Sequence, residues 1–308
     1  MVSLTAGIAV SGCSRTPAEL ELRGDELMGA GEVQKALAAY SAALRSSPES
    51  PGLNLKMARA FEQRGNHDAA MTHYTAALDV DPSRHTARLE LTVLQMEKGL
   101  WREASSNLGR LRSAIPEEAL IYKLLARLAE RERDEEEELS HWTTAALLDP
   151  SDPLPRHEIG RIYFGRGQYE RAVTEFRRAV RNDPGYQEAY LELGLALIEL
   201  NRIDEAETAY RNYIDTHQRD AHAYYRLGNA LFSKGYLDRA KSHYRRALTL
   251  DPWFAEAHFN LGMACYDDRE FSEAKRAFEQ AAMWSDEGPL KDSARRMLRQ
   301  IPTHNPSP

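Results

Sequence analysis

Residues 221–254 read AHAYYRLGNALFSKGYLDRAKSHYRRALTLDPWF, and the order of small and large residues in this stretch decides the fold. It carries Gly228, a second glycine at Gly235, then Ala240, the aromatic Tyr244, Ala247 and the closing pair Asp251-Pro252. Working outward in both directions, the same order returns every 34 residues. Prolines stand at 48, 82, 116, 150, 184 and 252, with Gln218 at the one position skipped. A constant spacing of 34 is the length of a helix-turn-helix repeat, and long arrays of such repeats are usually surfaces that hold other molecules rather than sites of chemistry.

With the frame set at residue 17, eight windows follow without insertion or deletion: 17–50, 51–84, 85–118, 119–152, 153–186, 187–220, 221–254 and 255–288. Their eighth positions are Gly24, Ala58, Thr92, Ala126, Gly160, Gly194, Gly228 and Gly262, all small. Their twentieth are Ala36, Ala70, Ala104, Glu138, Ala172, Ala206, Ala240 and Ala274. Two small columns predict two helices of one hairpin crossing at short distance. Four residues on, Tyr40, Tyr74, Leu108, Trp142, Phe176, Tyr210, Tyr244 and Phe278 fill the wedge between them. Gly31, Gly65, Gly99, Gly167 and Gly235 fall at the turn between the helices, where a left-handed residue is needed. Asp-Pro at 81–82, 149–150, 183–184 and 251–252 ends the second helix, because the residue before proline is pushed out of the helical region.

These columns resemble the tetratricopeptide repeat family over residues 17–288. The resemblance implies an all-α, right-handed superhelical α-solenoid of eight helix-turn-helix repeats. Residues 289–301 add a capping helix, with Leu290, Ala294, Met297, Leu298 and Ile301 on one stripe, and 302–308 form a polar, proline-bearing flexible tail. Repeat four departs from the pattern. Arg133 replaces its turn glycine and Glu138 its small residue, inside the acidic run 134–138, so a wider hairpin is expected there and the carboxylates read as a solvated helix start.

Composition agrees with such an array: 42% hydrophobic, 28% charged, and a formal charge of −7 that argues against a nucleic-acid backbone as partner. Ten histidines are scattered without metal-ligand spacing, and neither a phosphate-binding glycine loop nor a nucleophile elbow occurs, so neither cofactor nor catalysis is expected.

The amino terminus carries a second signal. An apolar, small-residue stretch at 1–12 ends in Val10-Ser11-Gly12-Cys13-Ser14, which resembles a bacterial lipobox. On that reading 1–12 is a lipoprotein signal peptide, Cys13 receives the lipid, and 13–16 is a linker. No Lys or Arg precedes Cys13, a departure that an upstream start codon would explain, and the competing reading is an apolar terminus with an incidental cysteine. Cys265, the other cysteine, falls in a core-facing column far from Cys13, so no disulfide is expected between them. If lipidated, the chain resembles envelope scaffold lipoproteins of pilus, secretion or polysaccharide-export machines. Ser14 after the cysteine would favour the outer membrane, facing the periplasm. The alternative is a cytoplasmic adaptor or co-chaperone.

The resemblance also implies where a partner protein docks. In the family the first helix of each repeat lines a concave groove, and the matching positions of repeats three and four are Leu89, Val93, Met96, Lys123, Arg127 and Arg131. From repeat five onward the groove turns apolar and aromatic through His157, Phe164, Leu191, Leu195, Ile198, Tyr225, Asn229, Phe232, Phe259, Met263 and Tyr266. An exposed strip of this kind suits a peptide or helix of a partner. Asn229 and Asn260 fall on the two asparagine positions of the carboxylate clamp by which some members hold a chaperone's carboxy terminus. Tyr225, Leu290 and Ala294 replace its basic residues, which argues against that use.

Overall fold

The computed structural model describes residues 15–216 and 220–302. Cys13, Gln218 and the tail at 303–308 lie outside the described residues. The chain divides into two compact units between His141 and Trp142.

The first unit stacks α1 (Pro17–Gly29), α2 (Val33–Ser46), α3 (Pro51–Gln63), α4 (His67–Val80), α5 (His85–Glu97), α6 (Trp101–Ala114) and α7 (Ala119–Glu132). Helix α8 (Glu135–Leu148) runs across the division. The second unit contains α9 (Pro153–Gly165), α10 (Tyr169–Asn182), α11 (Gln187–Glu199), α12 (Ile203–Thr216), α13 (Ala221–Ser233), α14 (Leu237–Leu250), α15 (Ala255–Asp267), α16 (Phe271–Trp284) and α17 (Pro289–Gln300). No strand occurs among the described residues. Within the first unit each helix from α1 to α7 packs on the next, and within the second so does each from α9 to α17, where the odd-numbered helices also touch one another in sequence.

Local chemistry sets the helix ends. Thr16 makes a capping box with Glu19, and the side chains of Ser50, Asn66, Asp152 and Asp220 accept from the first turns of α3, α4, α9 and α13. Prolines 17, 51, 153 and 289 open helices at positions whose N–H would have no partner. The Asp-Pro pairs do more than stop a helix. The carboxylates of Asp81, Asp149, Asp183 and Asp251 each accept from the backbone N–H two residues on, at 3.2, 3.1, 2.7 and 3.0 Å. This Asx turn carries the chain from the second helix of one repeat towards the first helix of the next.

The predicted turn glycines all take positive φ, between 69° and 81°. Repeats four, six and eight place Arg133, Asn201 and Arg269 in the same left-handed conformation at φ 62–63°, so the turn of repeat four keeps the shape of its neighbours at this residue. Asp134 caps α8 by accepting from Glu137 N–H at 3.0 Å, and residues 134–137 are exposed, as a solvated helix start requires.

The small columns form the contact they predict. A Cβ built on Gly24, Gly160, Gly194, Gly228 or Gly262 would lie 2.2–2.7 Å from the ring of Tyr40, Phe176, Tyr210, Tyr244 or Phe278, closer than any side chain tolerates. Those five rings and the alanines of the twentieth column are essentially inaccessible. At the carboxy-terminal end Ala294 is buried, and Met297, Leu298 and Ile301 pack on the core of the second unit.

Candidate functional site

In the first unit a cleft of about 690 Å³ opens along the first helices of repeats three and four, α5 and α7. Val93, Met96, Trp101 and Leu124 supply its apolar lining, and Arg127 and Arg131 its charge. The Arg131 guanidinium lies over the Trp101 ring at 4.8 Å, which holds that planar cation at the rim. Glu97 and Glu130 also line the cleft, and Glu97 is placed 3.5 Å from His67. Arg127 and Arg131 make no ion pair among the described residues. Trp101, from the second helix α6, is the lining residue that a reading of first-helix positions alone passes over.

In the second unit the strip expected from repeats five to eight is less open than the sequence suggests. His157 and Ile198 are buried, at 6% and 1% exposure, so neither lines an open groove. Phe164, Leu191, Leu195, Tyr225, Phe232, Phe259, Met263 and Tyr266 are half-buried and pack against the core of this unit. Adjacent first helices approach closely enough to share these side chains, which therefore have a packing role that the sequence columns do not reveal.

Asn229 and Asn260 are tied into this packing. Asn260 Nδ2 donates to Asn229 Oδ1 at 2.7 Å and lies 3.1 Å from the Tyr225 hydroxyl, while the Tyr244 hydroxyl donates to the same Asn229 oxygen at 2.8 Å. The residues one place out of phase with the clamp, Lys291 and Arg295, pair with Glu287 at 3.1 and 3.7 Å. Both asparagines and both cations thus have internal partners, and the clamp's basic positions remain Tyr225, Leu290 and Ala294.

His157 has a different task. Its Nε2 is 2.9 Å from Glu192 Oε2 as an ion pair without hydrogen-bond alignment, and its Nδ1 is 3.2 Å from the Tyr186 hydroxyl. Burial works against the charged ring, but the carboxylates of Glu158 and Glu192 outweigh it and raise the pKa to about 9.

One donor set at metal-ligand spacing occurs among the described residues, Cys265 with Glu270 and Glu273. Its donors are engaged. Glu273 pairs with Arg245 at 2.8 Å and Glu270 with Lys241 at 3.0 Å, while burial pushes the Cys265 thiol up to about 12, away from the thiolate a metal needs.

The tetratricopeptide repeat model matches residues 22–85, 157–221, 192–252 and 225–289, and a second model of the same repeat matches 62–128. The chain belongs to the tetratricopeptide repeat family. The repeat itself is a protein-interaction scaffold, and the all-α solenoid follows from it. A tetratricopeptide repeat and J domain-containing co-chaperone of Fusarium oxysporum is 27% identical over 162 residues, covering 50% of this chain and 31% of the relative. The chain spans 31% or less of the length of the curated relatives it matches. A tetratricopeptide repeat protein from Parabacteroides merdae superposes with a TM-score of 0.55 at 18% identity, over 82% of this chain and 98% of the other. Pseudomonas aeruginosa pilF superposes with a TM-score of 0.55 at 15% identity, over 66% and 93%. At these identities the likeness is one of fold.

Proposed function

We propose that this tetratricopeptide repeat chain is a non-catalytic scaffold that holds a peptide or helix of a partner protein against its first helices, and that a lipid on Cys13 tethers it in the cell envelope. The cleft at α5 and α7 carries the docking reading. An apolar lining rimmed by two arginines without internal ion pairs suits a segment that presents apolar side chains on one face. In repeats five to eight the half-buried aromatic strip offers further contact through Tyr225, Phe232 and Phe259.

The envelope reading rests on residues 10–14, the aliphatic and small residues before Cys13. If Cys13 is lipidated, Ser14 rather than aspartate after it favours the outer membrane, facing the periplasm, where such a scaffold would aid assembly of a pilus, secretion or export complex. No helix among the described residues is long and apolar enough to cross a membrane, so in this reading attachment is by lipid.

The second reading is a cytoplasmic adaptor or co-chaperone, favoured by the likeness to the Fusarium co-chaperone. The intact mass of the protein purified from its native host separates the two. A chain that begins at Cys13 and carries diacylglyceryl and acyl groups supports the envelope reading, whereas an unmodified Cys13 contradicts it and moves the adaptor to first place.

A further inference from the structure

In repeats two to five and in repeat seven, residues 19 apart face each other across the hairpin. Asn54 meets His73 at 2.9 Å, Arg88 meets Asn107 at 3.0 Å, Tyr122 meets the His141 ring, Arg156 meets Glu175 at 3.1 Å and Tyr224 meets the His243 ring. Arginine occupies the first place of this pair twice. In repeat five its charge is met by the Glu175 carboxylate; in repeat three Arg88 faces the neutral amide of Asn107 instead.

Arg88 is only 6% exposed. Its guanidinium donates to Asn107 Oδ1 and to the Pro82 carbonyl, both at 3.0 Å, and Asn107 in turn donates to Gln95 at 3.0 Å. It has no carboxylate partner among the described residues. Burial lowers its pKa, and the neighbouring Arg110 cation repels its charge and lowers it further. A buried cation held only by neutral acceptors is costly, and a carboxylate is the group whose two oxygens fit a guanidinium best.

Arg88 lines an open cavity of about 640 Å³ bordered by α4, α5 and α6. Arg102 and Arg110 line it too, over an apolar floor of Leu78 and Leu91. Asp79 and Glu103 also border it, and neither forms an ion pair with any of the three arginines. Arg88, Leu91 and Gln95 lie roughly 130° around α5 from the groove positions Leu89, Val93 and Met96 at 100° per residue, so this is a separate face of repeat three.

We propose that this cavity is a carboxylate pocket that takes a glutamate or aspartate side chain from an acidic segment of a partner protein, giving Arg88 what Glu175 gives Arg156. The proposal is independent of docking in the first-helix groove. With a formal charge of −7, the chain as a whole repels acidic peptides, so binding of one requires a local site.

The experiment measures binding of fluorescein-labelled pentaglutamate and pentaglutamine to the full chain by anisotropy at low salt. Pentaglutamate is expected to bind and pentaglutamine not to. Asn107→Glu, which installs the repeat-five carboxylate beside Arg88, is expected to weaken binding at least tenfold and to raise the thermal midpoint. Arg110→Gln, on an exposed part of α6, is expected to weaken it several-fold and carries the test if Asn107→Glu does not fold. Equal binding of both peptides, no binding of either, or undiminished binding by the folded variants would overturn the proposal. So would displacement of pentaglutamate by inorganic phosphate but not by glutarate, which would assign the pocket to phosphate.

Discussion

Gly228 shows how a single position controls a hairpin. Its missing side chain admits the Tyr244 ring, and an added Cβ would stand 2.6 Å from Tyr244 Cε1 with the ring fully buried. Gly228→Ala is therefore expected to destabilise the second unit by about 1–3 kcal/mol, read as a lower urea midpoint; an unchanged midpoint would show that the ring moves aside without cost. This contact was legible from the sequence because both of its columns recur. The left-handed turn at Arg133 and Arg269 was not, since arginine does not announce positive φ and only the surrounding hairpin imposes it, whereas Asn201 is of a type that enters this region readily. Arg88 and Asn107 were legible in principle. Comparing residues 19 apart from repeat to repeat would have revealed an arginine opposite glutamate once and opposite asparagine once.

Between helices, polar pairs add to the apolar contacts. Lys241 of α14 is buried and reaches Asp268 and Glu270, which flank the turn between α15 and α16, so one cation joins two successive repeats. His157 of α9 and Glu192 of α11 do the same for repeats five and six. Because the His157 pKa rises from 6.5 to about 9 in the folded chain, this pair's stabilisation is complete below about pH 6.5 and is lost as the pH rises through about 9. Glu192→Gln is expected to cost on the order of 1–3 kcal/mol at pH 6 and much less at pH 9.5 in urea titrations, and an equal cost at both would contradict the charged pair. Such pairs explain why the candidate groove was only partly legible. Position along a first helix predicts which side chains point towards neighbouring first helices, but not how closely those helices approach, and in repeats five and six close approach buries His157 and Ile198.

Across the whole molecule, each repeat offers its neighbours an apolar face and leaves the rest of its surface for partners. The 34-residue period therefore made the fold readable along nearly the full chain. The partner was not readable, because the period records how repeats pack on one another, whereas the proposed docking cleft takes its character from side chains particular to repeats three and four, Trp101, Arg127 and Arg131. The central claim is that partners dock on the first helices. Photocrosslinking in the native host tests it most directly, with benzoylphenylalanine placed at Val93 and Phe259 on first helices and at the exposed Thr174 and Glu279 on second helices. Docking on the first helices predicts a discrete crosslinked partner from Val93 or Phe259 and none from Thr174 or Glu279; crosslinks confined to the second-helix positions would contradict it.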